Sequence, residues 1–119
     1  MEFFLQLALN GIVVGSYHDS AFANHSFIRD AAGNFTTFDV PGAIGSSASG
    51  TNQQGEIVGI AQPVHPPPYT VGFKRSSSGS VSIIIAPGST TTNPTAVSSK
   101  GRITGSYQDS NGIVHGFVQ

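Results

Sequence analysis

Residues 101–117 read Gly-Arg-Ile-Thr-Gly-Ser-Tyr-Gln-Asp-Ser-Asn-Gly-Ile-Val-His-Gly-Phe, a pattern typical of two short strands joined by a polar turn. A similar segment, Gly-Ile-Val-Val-Gly-Ser-Tyr-His-Asp, begins at Gly11, and a third, Gly-Glu-Ile-Val-Gly-Ile-Ala, begins at Gly55. The first glycines of the three segments, at positions 11, 55 and 101, are 44 and then 46 residues apart. A period of this size indicates a chain built from structural repeats.

Strand-like segments fill each repeat. Short runs rich in β-branched and aromatic residues alternate with turns that contain Gly, Pro, Asn or Asp, and no stretch has an apolar period of 3.6 residues. A glycine inside a strand, such as Gly15, predicts a bulge or a close approach of another backbone. The predicted strands are residues 3–9, 12–17, 25–29, 35–40, 46–51, 56–61, 70–75, 81–86, 95–98, 103–107 and 114–118.

About four strands in about 45 residues is the content of one β-propeller blade. We therefore predict an all-β chain that forms a partial β-propeller of about 2.5 four-stranded blades. The single domain spans residues 1–119, with repeats at about 11–54, 55–100 and, incompletely, 101–119. A solenoid of repeats and a β-sandwich are the alternatives, although a sandwich has no reason to repeat Gly, Phe and Pro-Gly at fixed positions.

The number of repeats predicts self-association. A propeller ring needs about four or more blades, and an open arc exposes sheet edges that invite pairing. We therefore expect homo-oligomerisation to complete the ring, with a homodimer favoured and a trimer possible. One blade would then combine the N-terminal strand of one chain with the C-terminal strands of another. The alternative is that the chain is a fragment of a longer array.

Several motifs recur in an order that identifies a resemblance. They are Gly105-Ser-Tyr107 with Asp109, then His115-Gly-Phe117, the stretch Phe35 to Ala43, and Ala48-Ser-Gly-Thr-Asn52. In these motifs the chain resembles the extracellular HAF repeat family, named for its His-Ala-Phe or His-Gly-Phe signature. The resemblance covers nearly the whole chain from residue 11. It implies propeller-like β-repeats in a bacterial, extracellular protein, and it implies no particular activity.

The three copies depart from the family pattern in different ways. The first copy has Ser26 where the family has Gly. The second copy has Pro63 in place of the Asp and Val71 in place of the His. We therefore expect that any site made by this Asp and His occurs in the outer two copies and not in the middle copy.

Composition excludes several classes of partner. The net charge is -1 and only 9% of residues are charged, so the chain lacks the basic surface that binds nucleic acid or an anionic membrane. Without cysteine there is neither a disulfide framework nor a thiolate metal site. The apolar run Phe3 to Leu9 lacks a basic flank and is too short to span a bilayer, so it is interpreted as a strand and not as a clear signal peptide.

Two Asp–His pairs are the strongest candidates for a functional site. Asp19 and His25 have the same spacing of six residues as Asp109 and His115. An Asp and a His that face each other across a hairpin orient an imidazole, bind a metal or hold a sugar hydroxyl. The competing interpretation, which we favour because the pair recurs, is a turn-capping Asp with a His at the blade rim. We predict no metal and no cofactor.

Three functions remain open at this point. The first is a lectin-like module that binds carbohydrate at blade or subunit junctions through both Asp–His pairs together with Tyr17 and Tyr107, because a tyrosine stacks on a sugar face and offers a hydroxyl. The second is a glycosidase or esterase in which Asp19, His25, Asp109 and His115 are the catalytic candidates. The third is a structural repeat fragment without a ligand.

Overall fold

The computed structural model describes residues 3–9, 11–21, 23–66 and 68–119, and within them the chain is all-β, as predicted. None of these residues forms a helix that is long and apolar enough to cross a membrane. The strands are β1 (Phe3–Leu9), β2 (Ile12–His18), β3 (Asn24–Arg29), β4 (Phe35–Phe38), β5 (Ala43–Thr51), β6 (Ile57–Pro63), β7 (Val71–Arg75), β8 (Val81–Ile84), β9 (Ser89–Val97), β10 (Ile103–Asp109) and β11 (Val114–Val118).

The strands form three small antiparallel sheets, each made of consecutive strands. Sheet 1 contains β1 to β4, sheet 2 contains β5 to β8, and sheet 3 contains β9 to β11. None of the sheets closes on itself. Strand β1 pairs with β2 of its own chain and completes sheet 1. The sequence had instead predicted that the N-terminal strand would complete a blade of another chain. Sheet 3 instead lacks a fourth strand among the described residues.

Proline-glycine turns separate the sheets. Pro41-Gly42 links β4 to β5 and Pro87-Gly88 links β8 to β9. In the first of these turns the amide of Ala43 donates to the Val40 carbonyl at 3.2 Å, and Gly42 has a φ of 78°. This is the geometry of a type II turn, which places Pro at its second position and needs Gly at its third. The chain therefore leaves one sheet and enters the next at the same point in both copies.

A bulge recurs opposite the strand glycines. Ala48 pairs with Gly59 and Gly50 pairs with Val58, so Ser49 is an extra residue in β5. The corresponding register shift in sheet 3 lies beside Gly105, which pairs with Pro94. A side chain at Gly59 would collide with the backbone of β5. The bulge predicted at Gly15 is confirmed, because the pairing of β1 with β2 shifts register next to the Leu5–Gly15 pair. Pro94 is tolerated inside β9 because it lies at a bulge.

The first strand of each later sheet packs on the sheet before it. Strand β5 contacts β2 and β3, and β9 contacts β5, β6 and β7. A cluster that includes Val14, Val40, Ile57 and Phe73 fills the space between sheets 1 and 2. A second cluster, which consists of Val58, Ile84, Val97 and Ile103 with Phe117 packed against it, lies between sheets 2 and 3. The buried hydroxyls of Ser26 and Ser46 are hydrogen-bonded to each other at 2.8 Å across the first of these junctions.

Candidate functional site

A tyrosine, a histidine and an aspartate form a cluster in sheets 1 and 3, which we call the Tyr–His–Asp cluster. Tyr17 on β2 pairs with His25 on β3, and their rings stack with centroids 5.2 Å apart. Tyr107 on β10 pairs in the same way with His115 on β11, and the ring centroids are 4.9 Å apart. Antiparallel pairing places directly opposite side chains on the same face, so the register alone explains both stacks.

Asp109 holds the hairpin turn and the histidine at once. One of its carboxylate oxygens, Oδ1, accepts hydrogen bonds from the amides of Asn111 and Ile113 at 2.9 and 3.0 Å. The other, Oδ2, accepts from Nε2 of His115 at 2.8 Å. These donors, first the His115 side chain and then the Ile113 amide, lower the pKa of Asp109. The lowered pKa keeps Asp109 ionised at neutral pH, where both of its oxygens are hydrogen-bond acceptors.

Asp19 makes the same three contacts in sheet 1. Its Oδ1 accepts from the amides of Ala21 and Ala23 at 2.8 and 3.0 Å, and its Oδ2 accepts from Nε2 of His25 at 2.8 Å. The hydrogen bond from His25 is the largest cause of the lowered pKa of Asp19, followed by the Ala23 amide. The identical geometry in two sheets means that the Asp–His pair fastens the tip of a hairpin, which is the role expected of a recurring residue.

His25 has a second carboxylate partner that the sequence did not reveal. Its Nδ1 lies 2.6 Å from Oδ1 of Asp39, so both ring nitrogens donate to carboxylates. The hydrogen bond to Asp19, and after it the one to Asp39, raises the pKa of His25. An imidazolium that donates from both nitrogens has no lone pair. While it is protonated, His25 therefore has no lone pair to offer as a general base or as a metal ligand.

The middle sheet replaces the cluster with apolar residues. Ala61 pairs with Val71 at the position of the Tyr–His stack. Pro63 follows where the other sheets have the aspartate, and Ile85 precedes Ala86-Pro-Gly88 as Asp39 precedes Val40-Pro-Gly42. The structure thus places the Tyr–His–Asp cluster in sheets 1 and 3 and an apolar set of residues between them.

A cleft between sheets 2 and 3 contains Tyr107 in its wall, and we call it the Tyr107 cleft. Its volume is about 260 Å³, and its lining is Ile84, Ile85, Ala86, Pro87, Tyr107, Phe117, Val118 and Gln119. The His115 side chain, which stacks on Tyr107, is 42% exposed. The sequence did not predict Phe117 or Gln119 as part of a site, because their proximity to Ile85 depends on how sheet 3 packs on sheet 2.

The described residues contain no group of three His, Cys, Asp or Glu side chains that could hold a metal ion. Asp19 and Asp39 do approach one another, but they do so on opposite sides of the His25 ring, to which both are hydrogen-bonded. A glycosidase requires two carboxylates that flank a substrate bond. Here the space between the two carboxylates is filled by an imidazole.

Comparisons with known proteins give no relative for this chain. No model of a known protein family matches it, and the searches of curated proteins and of solved structures found no match. The resemblance to HAF repeats therefore stays an interpretation of the sequence motifs, and the geometry of the site is the basis for the function proposed below.

Proposed function

We propose that this chain is a saccharide-binding module and that the Tyr107 cleft is its ligand site. The observation that carries the proposal is the position of Tyr107, which lies in the wall of a cleft and is held there by His115. His115 is in turn held by Asp109, whose other oxygen is fixed by the turn amides. A tyrosine fixed in this way presents its ring and its hydroxyl without a large loss of side-chain entropy on binding.

The chemistry of the cleft suits a neutral sugar. Ile85, Pro87 and Phe117 supply apolar surface for the C–H face of a sugar ring, and Tyr107 and Gln119 supply groups that hydrogen-bond hydroxyls. The cleft is smaller than the roughly 300–1,000 Å³ of pockets for drug-sized ligands. It therefore fits one sugar ring and not a buried oligosaccharide.

Hydrolysis has less support in the same geometry. Three of the four catalytic candidates are engaged in the fold, because Asp19 and Asp109 accept hydrogen bonds at both oxygens and both ring nitrogens of His25 face carboxylates. The fourth, His115, is hydrogen-bonded to Asp109 through Nε2, and the described lining of the Tyr107 cleft contains no second acid or base. A general base needs a free lone pair within reach of the proton that it removes. We therefore propose binding without turnover.

The test is a titration with neutral monosaccharides, followed by NMR. We expect glucose, galactose, mannose or N-acetylglucosamine to shift the resonances of Tyr107 and Phe117, with weak affinity and without chemical change of the sugar. Tyr107→Ala should abolish binding. Tyr69→Ala is the matched control, because Tyr69 is 65% exposed on a loop and is not part of the cleft lining. Shifts that persist in Tyr107→Ala, or the absence of any shift across the panel, would refute the site.

We further propose that the three sheets are consecutive blades of a propeller-like ring that a second copy of the chain completes. Two junctions inside the chain support this, since β5 packs on sheet 1 and β9 packs on sheet 2 in the same manner. A third junction of this kind would place sheet 1 of one copy on the outer face of sheet 3 of another. With three sheets a chain, two chains supply six, which lies within the usual range of about four to eight blades, whereas three chains supply nine.

The outer face of sheet 3 offers the test of this assembly. Val114 on β11 is 66% exposed, although β3 and β7 at the same place in sheets 1 and 2 are covered by the next sheet. We expect light scattering on a sizing column to give a dimer for the wild type and a monomer for Val114→Lys. Val64→Lys, at an exposed loop residue, is the control and should remain a dimer. A monomeric wild type would overturn the ring and leave the Tyr107 cleft, which lies within one chain, as a separate question.

A further inference from the structure

An apolar pocket lies at the junction of sheets 1 and 2, and we call it the sheet 1–2 pocket. Its volume is about 200 Å³. It contains no charged residue, and its lining is Val40, Pro41, Gly42, Ala43, Pro63, Pro68, Val71, Ile83 and Ile85. The pocket shares Ile85 with the Tyr107 cleft, but its lining contains no residue of the Tyr–His–Asp cluster.

One wall of the pocket is Val71, which stands where the other two sheets have the histidine of the aromatic stack. Sheets 1 and 3 fill this position of the repeat with a tyrosine ring on a histidine ring. Sheet 2 has Ala61 opposite Val71 instead. Ala61 is smaller than a tyrosine by a whole ring, whereas Val71 is only slightly smaller than a histidine, and the strand register remains the same. Among the described residues, no polar side chain lines the pocket.

The walls of the pocket are held in place before any ligand arrives. Val40 and Val71 are buried in the core cluster and form its base. The amide of Val64 donates to the carbonyl of Gly42 at 3.1 Å, which joins the two connections at its edge. Pro63 and Pro41 have restricted backbones. A preformed site loses little conformational entropy when it binds a ligand.

We propose that the sheet 1–2 pocket binds a single uncharged aromatic ring. We expect an uncharged ligand, because a charge placed against this lining would lose part of its hydration and find no partner among the lining residues. A dry apolar cavity of about 150 Å³ is known to hold benzene, so the volume is sufficient for one ring. The C–H surfaces of Pro41 and Pro63 also suit the electron-rich face of an aromatic ring better than a puckered aliphatic ring.

The experiment is a titration of the whole chain with benzyl alcohol, followed through the methyl resonances of Val71 and Ile83. Ile83 is 47% exposed, so Ile83→Gln removes pocket surface without opening the core. We expect this variant to weaken binding at least fivefold. Ile113→Gln is the matched control, because Ile113 is 55% exposed and lies on a turn outside the pocket. Its affinity for benzyl alcohol should equal that of the wild type.

A second variant and a second probe make the outcome decisive. Ala43→Leu adds bulk inside the pocket and should abolish the methyl shifts while the chain still melts cooperatively. Cyclohexanemethanol should bind at least fivefold more weakly than benzyl alcohol. Equal affinity for the two alcohols would overturn the assignment to an aromatic ring. Shifts that are spread over exposed methyls such as Val114, or that are unchanged in Ile83→Gln, would overturn the pocket itself.

Discussion

Replacing Gly59 by alanine tests the packing on which the whole repeat depends. Gly59 lies in the middle of β6, and a Cβ built on it would be 2.8 Å from Cα of Ala48 and 2.8 Å from Cε1 of Phe73, with the Ser47 carbonyl oxygen closer still. Carbon atoms in contact normally lie about 3.5–4.0 Å apart. Two of these three neighbours are backbone atoms of β5, so rotating a side chain cannot relieve the collision.

The cost follows from what has to move. Overpacking costs about 1–3 kcal/mol where side chains can adjust. At Gly59 the strand β5 itself must shift by about 1 Å, which also weakens ladder hydrogen bonds worth about 1 kcal/mol each. We expect Gly59→Ala to lower the free energy of unfolding by about 3–5 kcal/mol, a large part of the roughly 5–15 kcal/mol that stabilises a typical domain. The melting temperature should fall by roughly 10 °C or more.

Urea and thermal denaturation of Gly59→Ala and Gly116→Ala provide the assay. Gly116 also lies inside a strand, but its nearest neighbour is the Gly105 carbonyl oxygen at 3.9 Å, so a methyl group meets ordinary contact distance there. The control should therefore be neutral, or more stable by a few tenths of a kcal/mol because alanine restricts the unfolded chain. A Gly59→Ala variant within about 0.5 kcal/mol of the wild type would refute the close approach of β5 and β6.

Two further predictions concern the polar contacts of sheet 1. The folded state raises the pKa of His25 above its ordinary value of about 6.5, so protonated His25 stabilises the fold fully below that pH. This stabilisation is lost as the pH rises through the pKa of His25 in the folded protein, and the melting temperature should decline over that range. Asp39→Asn should lessen the decline, because it removes one of the two carboxylates bonded to His25. A flat profile in the wild type would contradict the double hydrogen bond. Ser26→Ala should cost about 1–3 kcal/mol by leaving the buried Ser46 hydroxyl unpaired, whereas Ser26→Ala with Ser46→Ala should cost less than the sum of the single variants in urea denaturation.

Much of the fold could be predicted from the sequence because alternation and turn residues specify strands locally. The limits of β9 could not. Residues 89–94 are serine, threonine, asparagine and proline without apolar alternation, so the predicted strand began at residue 95, yet β9 begins at Ser89. Its first half is extended because it pairs with β10 and packs on sheet 2, and Pro94 is accommodated at a bulge. These are tertiary effects that propensity does not contain.

The candidate site likewise has parts that a local sequence pattern predicts and parts that depend on tertiary packing. The Asp–His pairs follow from a spacing of six residues across a hairpin, which a local pattern reveals. The contact of Asp39 with His25 joins residues 14 apart and depends on the register of β3 with β4, in which Ser26 pairs with Phe38. The Tyr107 cleft depends on the packing of sheet 3 on sheet 2. Neither the register nor the packing can be read from one stretch of sequence.

The repeat therefore separates residues that hold the fold from residues that can distinguish ligands. The Asp–His pair occurs twice with the same hydrogen bonds, and those bonds occupy most of its polar atoms, so it is an anchor for the hairpin. The two candidate ligand sites lie where the copies of the repeat differ in sequence. Sheet 3 has no fourth strand described, and Tyr107 lines a cleft there; sheet 2 has Ala61 and Val71 in place of the stack, and Val71 lines an apolar pocket. We therefore expect substitutions at exposed differing positions such as Ile83 to change binding with little effect on stability, and substitutions at the recurring aspartates to do the reverse.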